Sequence, residues 1–400
     1  MSVLLVSENF PPRVGGAGAY AAELARRVAG VEVGVLTSEQ PGAAEHDAGY
    51  PRPVRRVAMA FDDWGKLGWR GWRRYRRLCT AIRETIDGDT RVLVANRCLP
   101  EGEAVRCAAE SAGVAYAVVV HGEELNTASS SRELAWLTRR VLRRADGVIA
   151  NSRHTAGLLA SDWDVAADRL TIVTPGVDTE AIVPMGAAER SVLRGRLGWR
   201  DRRVVLTAGR LQARKGHDRM IEAWRRVVAA VPGARWVVVG DGEERDPLRA
   251  LARDRGVADS IEWAGRVDRA ALVDRYRACD LFALPNRTVG GDFEGFGIVL
   301  LEAQAAGRPV LCGRSGGTTE TIVEGVTGRS VNAASTRELA RGLIELLGDP
   351  DRLDEMGRAA RSHVVGRHGW PASAERFSAA LRRLGEGREL HRRGTLRRAA

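Results

Sequence analysis

The sequence predicts an α/β protein built from two doubly wound domains. Short β-branched runs alternate with longer helical patterns along almost all of the 400 residues. This alternation predicts parallel sheets with helices on both faces, because helical crossovers cover the sheets. A chain of this length exceeds one ordinary core and fits two domains. We therefore expect ligands beyond the carboxyl ends of the strands, in a cleft between the domains.

The two halves repeat the same order of strand and helix. Predicted strands cover 3–6, 31–36, 92–95, 117–120, 148–150 and 171–173, then 204–208, 236–240, 261–264, 281–284 and 309–311. Predicted helices cover 17–28, 101–112, 132–144 and 153–160, then 218–231, 247–254, 269–277, 298–306 and 337–347. Pro and Gly between 175 and 186 predict a linker, so we place the domain boundary after 183.

Composition limits the classes of function. Hydrophobic residues make up 44% and charged residues 28% of the chain, which is typical of globular proteins. The five cysteines are scattered and form no C-x-x-C pair, so neither a disulfide framework nor a zinc site is indicated, and the cytosol is the expected compartment. Apolar stretches stay below the ~20 residues of a membrane span. The net charge of +11 permits a nucleotide, a phospholipid surface or nucleic acid as partner.

The most informative segment is 294–302, where Glu294 and Glu302 bracket an apolar run. A helix that is apolar all round is predicted to be buried, with only its ends available for chemistry. Its first amides, at 297–299, lack partners inside the helix and carry partial positive charge, which suits a phosphate. Glu302 can accept hydrogen bonds from a sugar diol. Together these features predict a sugar-nucleotide site.

Two loops follow predicted strands at the expected ligand-binding edge. Gly15 and Gly16 admit a diphosphate or a sugar close to the backbone, although a plain tight turn is the alternative. The order of residues there does not match the P-loop, which disfavours ordinary ATP hydrolysis. Arg210 and Lys215 are predicted to converge on one anion, as a planar fork and a compact point charge. Lysine occurs elsewhere only at Lys66, so its use here is informative against a solvated basic loop.

His121 follows the strand at 117–120 and precedes a glycine. Its ring can therefore face the cleft and donate a hydrogen bond to a substrate oxygen, or its backbone carbonyl can be presented there. A purely structural histidine is the alternative. Asp241 and Val267 lie in turns at two further strand ends, where the backbone could contact a base or a ribose. Each of these two segments, taken alone, predicts only a turn.

The segment 64–77 contains six basic residues and no acidic one. Trp69, Trp72, Tyr75 and Leu78 recur at every third position, and we expect them to form one apolar stripe beside the arginines. One interpretation is a helix at the surface of an anionic membrane. The other is a helix that packs its aromatic rings inward behind a solvated basic face. The usual signatures of nucleic-acid binding are not found in the sequence.

Taken together, these segments resemble the retaining glycosyltransferases of family 4, which have the GT-B fold. The resemblance covers nearly the whole chain. The motifs that carry it are Gly15-Gly16, His121-Gly122, Asn151-Ser152, Pro175-Gly176-Val177-Asp178, Gly209-Arg210-Leu211, Lys215-Gly216, Val239-Gly240-Asp241-Gly242, Glu294 to Glu302 and Gly316-Gly317. It implies two Rossmann-like domains that face each other across a cleft. We expect an acceptor-binding domain over 1–183, a nucleotide-sugar domain over 184–370, a helix over about 371–385 packed back on the first domain, and a disordered basic tail over 386–400.

Within the family, 9–16, the His121-Gly122-Glu123 stretch, 286–291 and 301–305 resemble the actinobacterial phosphatidylinositol mannosyltransferases of the B type. This resemblance implies GDP-mannose as donor and a phosphatidylinositol-type glycolipid as acceptor. The chain departs from that pattern in 64–77 and in its arginine-rich tail. A cytoplasmic protein at the inner face of the plasma membrane would follow, touching anionic lipid through 64–77, with no nucleic-acid partner.

The resemblance also implies retaining, metal-independent hexosyl transfer without a cofactor other than the nucleotide sugar. The catalytic residues would be His121, Arg210, Lys215 and Glu294, and the donor-binding residues Gly15, Gly16, Asp241, Val267, Phe296, Gly297, Ile298, Val299 and Glu302. Arg210, Lys215 and the first helix amides would stabilise the departing diphosphate. Glu302 would hold the ribose diol and Glu294 the hexose, while His121 would touch the hexose from the first domain. The acceptor proton would pass to a departing phosphate oxygen.

Three other functions stay open at this point. The first is transfer from a UDP-sugar to a small specialised-metabolite acceptor by the same fold. The second is isomerisation of a nucleotide sugar without any acceptor. The third is a non-enzyme that binds anionic lipid or nucleic acid through its basic segments, for which binding would be strongly salt-sensitive. The nucleotide base, the hexose, the acceptor and the oligomeric state are not determined by these motifs.

Overall fold

The structure of the protein is a computed structural model, and it contains two parallel sheets. It describes residues 1–399 except Val14, Ala60 and Asp62, and side chains as far as Gly387. Contacts divide the chain into an N-terminal unit (Met1–Pro175 with Trp370–Ala400) and a C-terminal unit (Gly176–Gly369).

The N-terminal unit contains a seven-stranded parallel sheet. Its strands are β1 (Ser2–Ser7), β2 (Glu32–Ser38), β3 (Val54–Val57), β4 (Thr90–Ala95), β5 (Ala115–Val120), β6 (Gly147–Ala150) and β7 (Leu170–Ile172), in the order β3-β2-β1-β4-β5-β6-β7. Its helices include α1 (Gly16–Arg27), α2 (Ala43–Ala48), α3 (Trp69–Thr85), α4 (Glu103–Ala112), α5 (Glu123–Ser129), α6 (Arg132–Arg144) and α7 (Arg153–Asp162). The strand order reverses between β1 and β4, which is where ligands bind in sheets of this kind.

The C-terminal unit repeats the architecture with six parallel strands. These are β8 (Arg203–Ala208), β9 (Ala234–Val239), β10 (Ile261–Gly265), β11 (Leu281–Leu284), β12 (Val310–Gly313) and β13 (Gly328–Val331), in the order β10-β9-β8-β11-β12-β13. Its helices are α8 (Ala187–Arg196), α9 (His217–Ala230), α10 (Arg245–Asp254), α11 (Arg269–Ala278), α12 (Ile298–Ala305), α13 (Thr336–Leu347) and α14 (Pro350–Arg367). Here the order reverses between β8 and β11.

Both sheets are buried on both faces, as the continuous apolar strands predict. Along β1, Val3 and Leu5 pack into the core that includes α1, whereas Leu4 and Val6 pack into the core that includes α3 and α4. The predicted fold class, two doubly wound parallel sheets, is therefore confirmed. Every predicted strand is present. The edge strands β3 and β13 were missed, because Val-Arg-Arg-Val and Gly-Arg-Ser-Val lack a continuous apolar run.

The two units divide between 175 and 176, whereas we predicted a boundary between 183 and 184. The intervening residues pack with the C-terminal unit. The Val177 amide donates to the His368 carbonyl at 2.8 Å, and Ile182 lies in the core beneath α12. A Pro-Gly pair thus marks the division better than the later Pro-Met-Gly sequence.

The last helix, α15 (Trp370–Ala399), belongs to the N-terminal unit. Trp370, Phe377 and Leu381 pack into the same core as Tyr20 and other side chains of α1. The helix is longer than the predicted 371–385, and so it extends into the residues for which we predicted a disordered tail. Arginine, leucine and glutamate in this stretch favour helix, which explains the difference. Within the described part of the chain, no helix has the length and hydropathy needed to cross a bilayer.

Candidate functional site

The loops after β8, β9, β11 and β12 gather where the strand order of the C-terminal unit reverses, and we call them the switch-point edge. They are packed backbone against backbone. A Cβ atom would overlap a neighbouring carbonyl at Gly240 (against Gly209), Gly216 (against Pro285), Gly313 (against Asn286) and Gly316 (against Glu294). Asn286 is fully buried among them and binds both the Gly313 amide (3.1 Å) and the Ser315 carbonyl (2.9 Å). The edge is therefore a rigid surface that presents backbone groups.

Helix α12 begins at this edge, as predicted. Gly297 adopts a left-handed conformation with φ of 90°, which turns the chain into the helix. The first amides of α12 have no intrahelical partner and point to the edge of the sheet. Ile298 and Val299 are half-buried, whereas the Phe296 ring is buried in the core beneath the helix. Only the backbone of Phe296 is therefore available to a ligand.

Lys215 and Glu294 form a direct ion pair at this edge. The Lys215 Nζ lies 2.6 Å from the Glu294 Oε2, and both side chains are nearly buried. The Arg214 Nε lies 3.8 Å from the same oxygen, and its guanidinium also binds Asp292 at 3.1 Å. Burial alone would raise the pKa of Glu294, but the attraction of Lys215 and Arg214 lowers it overall. Glu294 is thus a carboxylate at neutral pH, and Arg214 is a second buried cation that our sequence reasoning missed.

Arg210 does not converge with Lys215. Its side chain is 68% exposed and lies 3.3 Å from the Glu243 Oε2. An exposed pair of this kind contributes at most about 1 kcal/mol, so the side chain is free to reorient. The direction of a loop side chain depends on the packing around it. The position of Arg210 beyond a strand end therefore did not determine where its side chain points.

Glu302, just over one turn into α12, is nearly buried, and both of its oxygens have protein partners. The Arg269 Nη1 lies 2.6 Å from Oε1, and the Tyr276 hydroxyl donates to Oε2 at 2.8 Å. Both partners lie on α11, and neither was identified from sequence. Glu302 is therefore an acceptor whose geometry is set by a neighbouring helix.

Asp241 and Val267 lie in turns beside this edge. The Asp241 carbonyl accepts from the Leu211 amide at 3.0 Å, which joins the loops after β9 and β8. Its side chain accepts from the Gly242 amide and is half-buried. Val267 is partly buried against the core under α12. The predicted contact of these two turns with a base or a ribose stays a prediction.

In the N-terminal unit, Gly15 and Gly16 lie between β1 and the first turn of α1. Both are exposed, and a Cβ atom added to either would meet nothing within 4 Å. The space above these glycines is therefore open, which suits an approaching ligand. Val14, within the 9–16 stretch, lies outside the described residues.

His121 lies at the carboxyl end of β5 and is buried. Its Nε2 lies 3.0 Å from the Asn96 carbonyl oxygen, so Nε2 carries the proton and Nδ1 is an acceptor. Its own carbonyl accepts from the Asn151 Nδ2 at 2.9 Å. Burial and the nearby Arg97 lower the pKa of His121 to about 4, so the ring is neutral at pH 7. The Nε2 proton that we expected to reach a substrate therefore binds Asn96 instead, whereas the carbonyl oxygen keeps a second lone pair beside its bond from Asn151.

A buried acidic cluster lies beside His121 and was not predicted. The Glu124 Oε1 accepts from the His121 amide at 2.9 Å, and burial raises the pKa of Glu124 to about 7. Glu8, after β1, pairs with the Arg97 Nη2 at 2.9 Å, and Glu101 lies 3.2 Å from the same atom. The charged character of Glu8 and Glu101 gave no hint of burial, since such residues are mostly exposed.

The predicted aromatic stripe on α3 is wrong. Tyr75 and Leu78 are buried, but Trp69 and Trp72 are 68% and 40% exposed. A spacing of three residues turns about 60° per step around a helix of 3.6 residues per turn, so the two ends of the stripe face opposite directions. The exposed rings stack on each other with centroids 5.3 Å apart, and Arg73 lies over Trp69. The inward packing that we considered therefore holds for Tyr75 and Leu78 and not for the two tryptophans.

Among the described residues, no group of three or more His, Cys, Asp or Glu side chains is arranged to hold a metal ion. The positive charge at the switch-point edge comes from Lys215, Arg214 and the start of α12.

Two family models match the chain. One described as Glycosyltransferase Family 4 matches residues 14–181, and one described as Glycosyl transferases group 1 matches residues 190–363. A GDP-mannose-dependent alpha-(1-6)-phosphatidylinositol monomannoside mannosyltransferase of Mycobacterium tuberculosis is 36% identical over 393 residues, which cover 95% of this chain and 98% of that protein. The protein of the same description in Mycolicibacterium smegmatis is 32% identical, over 97% of this chain and 100% of its own length.

Solved structures with the same architecture are more distant in sequence. HepE of Anabaena in complex with UDP matches with a TM-score of 0.79 and 21% identity, over 95% of this chain and 99% of that chain. Sucrose-phosphate synthase from Thermosynechococcus elongatus matches with a TM-score of 0.80 and 20% identity, over 96% and 99%. At these identities the likeness shows the fold, which is GT-B.

Proposed function

Because the chain belongs to the family 4 glycosyltransferases, we propose that it transfers a mannosyl group from GDP-mannose to a hydroxyl of a phosphatidylinositol-type glycolipid, with retention at the anomeric carbon. The relatives of similar length are described as GDP-mannose-dependent mannosyltransferases of phosphatidylinositol monomannoside. The observation that carries the proposal is the switch-point edge. It combines a helix start, a buried lysine and two carboxylates within one rigid group of loops.

The diphosphate of the donor would lie at the start of α12. There the first amides and Lys215 offer positive charge that is already oriented. As the bond between the anomeric carbon and the phosphate oxygen breaks, negative charge grows on the diphosphate, and preorganised donors stabilise it without rearrangement. Arg210 would swing from Glu243 to join them, since its exposed ion pair is weak. These cations would supply the charge that a metal ion supplies in other enzymes, so we propose a metal-independent reaction.

Glu294 would position the hexose. It is ionised and can accept hydrogen bonds from a sugar hydroxyl, most simply the 3-hydroxyl. In the N-terminal unit, His121 can accept a hydrogen bond at Nδ1, because its Nε2 proton is committed to Asn96. The acceptor hydroxyl would attack on the face from which the diphosphate departs, and its proton would pass to a departing phosphate oxygen. The new glycosidic bond then has the configuration of the donor.

We further propose that the N-terminal unit touches an anionic membrane through an aromatic–arginine surface, formed by Leu67, Trp69, Trp72 and Trp136 with the neighbouring arginines. All four apolar side chains are at least 40% exposed. Arg73, Arg76 and Arg140 lie over the three indole rings. Indole and guanidinium groups together favour the interface of an anionic bilayer. This placement would put the enzyme at the inner face of the plasma membrane, within reach of a glycolipid acceptor.

The transfer is tested with purified protein, vesicles that contain phosphatidylinositol monomannoside, and either GDP-mannose or UDP-glucose. We expect free GDP and a lipid heavier by one hexose, detected by mass spectrometry, with the α configuration by NMR. Turnover of UDP-glucose but not GDP-mannose would contradict the proposed donor. Release of nucleotide with a small soluble acceptor alone would favour the specialised-metabolite transferase.

Membrane contact is tested by sedimentation with phosphatidylinositol vesicles. We expect the double substitution Trp69→Ser with Trp72→Ser to weaken binding about tenfold or more, because two interfacial rings are lost. Val192→Ser, at an exposed apolar residue of the C-terminal unit, serves as the matched control and should leave binding unchanged. Equal binding by both variants would sink this part of the proposal.

A further inference from the structure

Glu302 is held on its two sides by partners of very different character. Both Tyr276 and Arg269 lie on α11, which packs against α12. The tyrosine hydroxyl binds Oε2 and the guanidinium binds Oε1. The two oxygens therefore differ in how easily a ligand can reach them.

The hydrogen bond from Tyr276 to Glu302 is buried in the core. The side chain is fully buried, and its ring packs edge-on against Phe282 with centroids 5.6 Å apart. Burial raises the pKa of Tyr276 well above its ordinary value, so the hydroxyl stays protonated and donates. Breaking a buried hydrogen bond would leave a buried oxygen without a partner, which is unfavourable. Oε2 is therefore fixed in place.

The hydrogen bond from Arg269 to Glu302 lies near the protein surface. Arg269 is the first residue of α11, and its side chain is 55% exposed. Only the arginine end of this pair is exposed, so water can solvate the guanidinium once it leaves the nearly buried Glu302. Hydroxyl donors that arrive at Oε1 would replace its hydrogen bond to that oxygen. An incoming hydroxyl can therefore replace this guanidinium at Oε1 without a large penalty.

We propose that Tyr276 is a positioning residue that holds Oε2 of Glu302 and so turns Oε1 toward the ribose diol of the donor, and that Arg269 occupies Oε1 only until the ribose arrives. This inference rests on the proposed function, since it assumes a nucleoside diphosphate at the switch-point edge. One carboxylate oxygen has two lone-pair sites, so Oε1 alone can accept from both ribose hydroxyls. The ribose thus replaces the half-exposed guanidinium of Arg269 with two hydrogen bonds to a charged acceptor.

The test compares binding of GDP and of 2′,3′-dideoxy-GDP by titration calorimetry. The proteins are the wild type, Tyr276→Phe and Arg269→Gln, with Asp274→Asn on the same helix as the control. In the wild type we expect the dideoxy compound to bind at least about tenfold more weakly, because hydrogen bonds to a charged acceptor are lost. In Tyr276→Phe we expect this preference to fall below about threefold, with the affinity for the dideoxy compound unchanged.

Arg269→Gln should bind GDP a few times more tightly than the wild type, because no guanidinium has to be displaced, and should bind the dideoxy compound equally well. A Tyr276→Phe protein that keeps the full preference for GDP overturns the positioning role. Arg269→Gln with weaker or unchanged GDP binding overturns the displacement. Tyr276→Phe keeps the ring that packs against Phe282, and if it nevertheless unfolds in thermal melts, the Arg269→Gln comparison still decides the displacement.

The same titrations separate this inference from the proposed function. If the wild type binds neither compound, the nucleotide site itself is absent and the proposed function fails. If it binds both equally, the nucleotide site stands but the ribose does not reach Glu302, and only the present inference fails.

Discussion

At the level of single residues, both units contain charged side chains that are largely buried and form ion pairs with each other. Lys215 and Glu294 neutralise each other in the C-terminal unit, and Arg97 partly neutralises Glu8 and Glu101 in the N-terminal unit. A buried charge is strongly unfavourable unless it is paired, so these pairs define where the residues point. Lys215, which pairs with Glu294, is also the cation that we propose binds the donor diphosphate.

Lys215→Met should lower turnover at saturating donor by about 10²–10³-fold, because one preorganised donor to the departing diphosphate is lost. Methionine keeps the unbranched apolar stem and removes the charge. Steady-state release of GDP measures the effect. Arg219→Met, in the same unit at an exposed arginine paired with Asp218, is the control and should retain activity. Near-normal turnover by a folded Lys215→Met protein would remove Lys215 from the mechanism.

Glu124→Gln should stabilise the protein in a pH-dependent manner. The folded-state pKa of Glu124 is raised from 4.5 to about 7 by burial, so the folded state binds this proton more tightly than the unfolded state. Its contribution to the free energy of unfolding therefore falls as the pH rises from about 4.5 to about 7. Glutamine does not titrate, so the gain is small at pH 4 and on the order of 3 kcal/mol above pH 7.

Denaturant unfolding of Glu124→Gln and of wild type at pH 4.5 and pH 8 measures this gain. The neighbouring Glu123 is exposed, and Glu123→Gln should give no comparable trend. A gain that is the same at both pH values would show that Glu124 titrates normally in the folded protein.

At the scale of elements, the site depends on how loops meet rather than on the helices and strands alone. The strands of the C-terminal sheet end in loops whose backbones are in contact at glycines. These contacts join segments distant in sequence, such as Gly313 and Asn286, and leave no room for a side chain. The positions of the glycines were visible in the sequence, but which backbone each one meets was not.

Gly313→Ala should destabilise the C-terminal unit and weaken nucleotide binding. The added Cβ would overlap the Asn286 carbonyl, and backbone shifts forced by overpacking reduce stability by about 1–3 kcal/mol. Thermal unfolding and GDP titration measure the two effects. Gly366→Ala is the matched control: Gly366 lies in α14 with open space around it, and alanine there should stabilise the helix by about 0.5–1 kcal/mol. If Gly313→Ala were as stable as the wild type, the loops could move apart to fit the added Cβ atom without a loss of stability.

Across the two units, each doubly wound sheet has a point where the strand order reverses, and buried charged side chains lie in the loops beside it. In the N-terminal unit, Glu8, Asn96 and Arg97 follow the adjacent strands β1 and β4. In the C-terminal unit, Lys215 and Glu294 follow β8 and β11. The N-terminal unit is completed by α15 from the far end of the chain, so its core depends on both termini.

Phe377→Ala should destabilise the N-terminal unit by about 3–5 kcal/mol, because it removes a large buried ring from the core shared by α1 and α15. Arg376→Ala, at an exposed neighbour on the same helix, should have little effect. Urea unfolding followed by fluorescence compares the two variants. GDP binding by the C-terminal unit should persist in Phe377→Ala at low urea concentration. Equal stability of both variants would mean that α15 adds nothing to that core.

The α/β class, the central strands and the family could all be predicted from the sequence. These depend on local periodicity and on motifs whose members lie close together in the chain. The fold was needed to show that Lys215 binds Glu294, that Arg210 points outward, and that Glu302 is held by α11. Each of these contacts joins distant segments, and the direction of a side chain is set by the packing and charge around it.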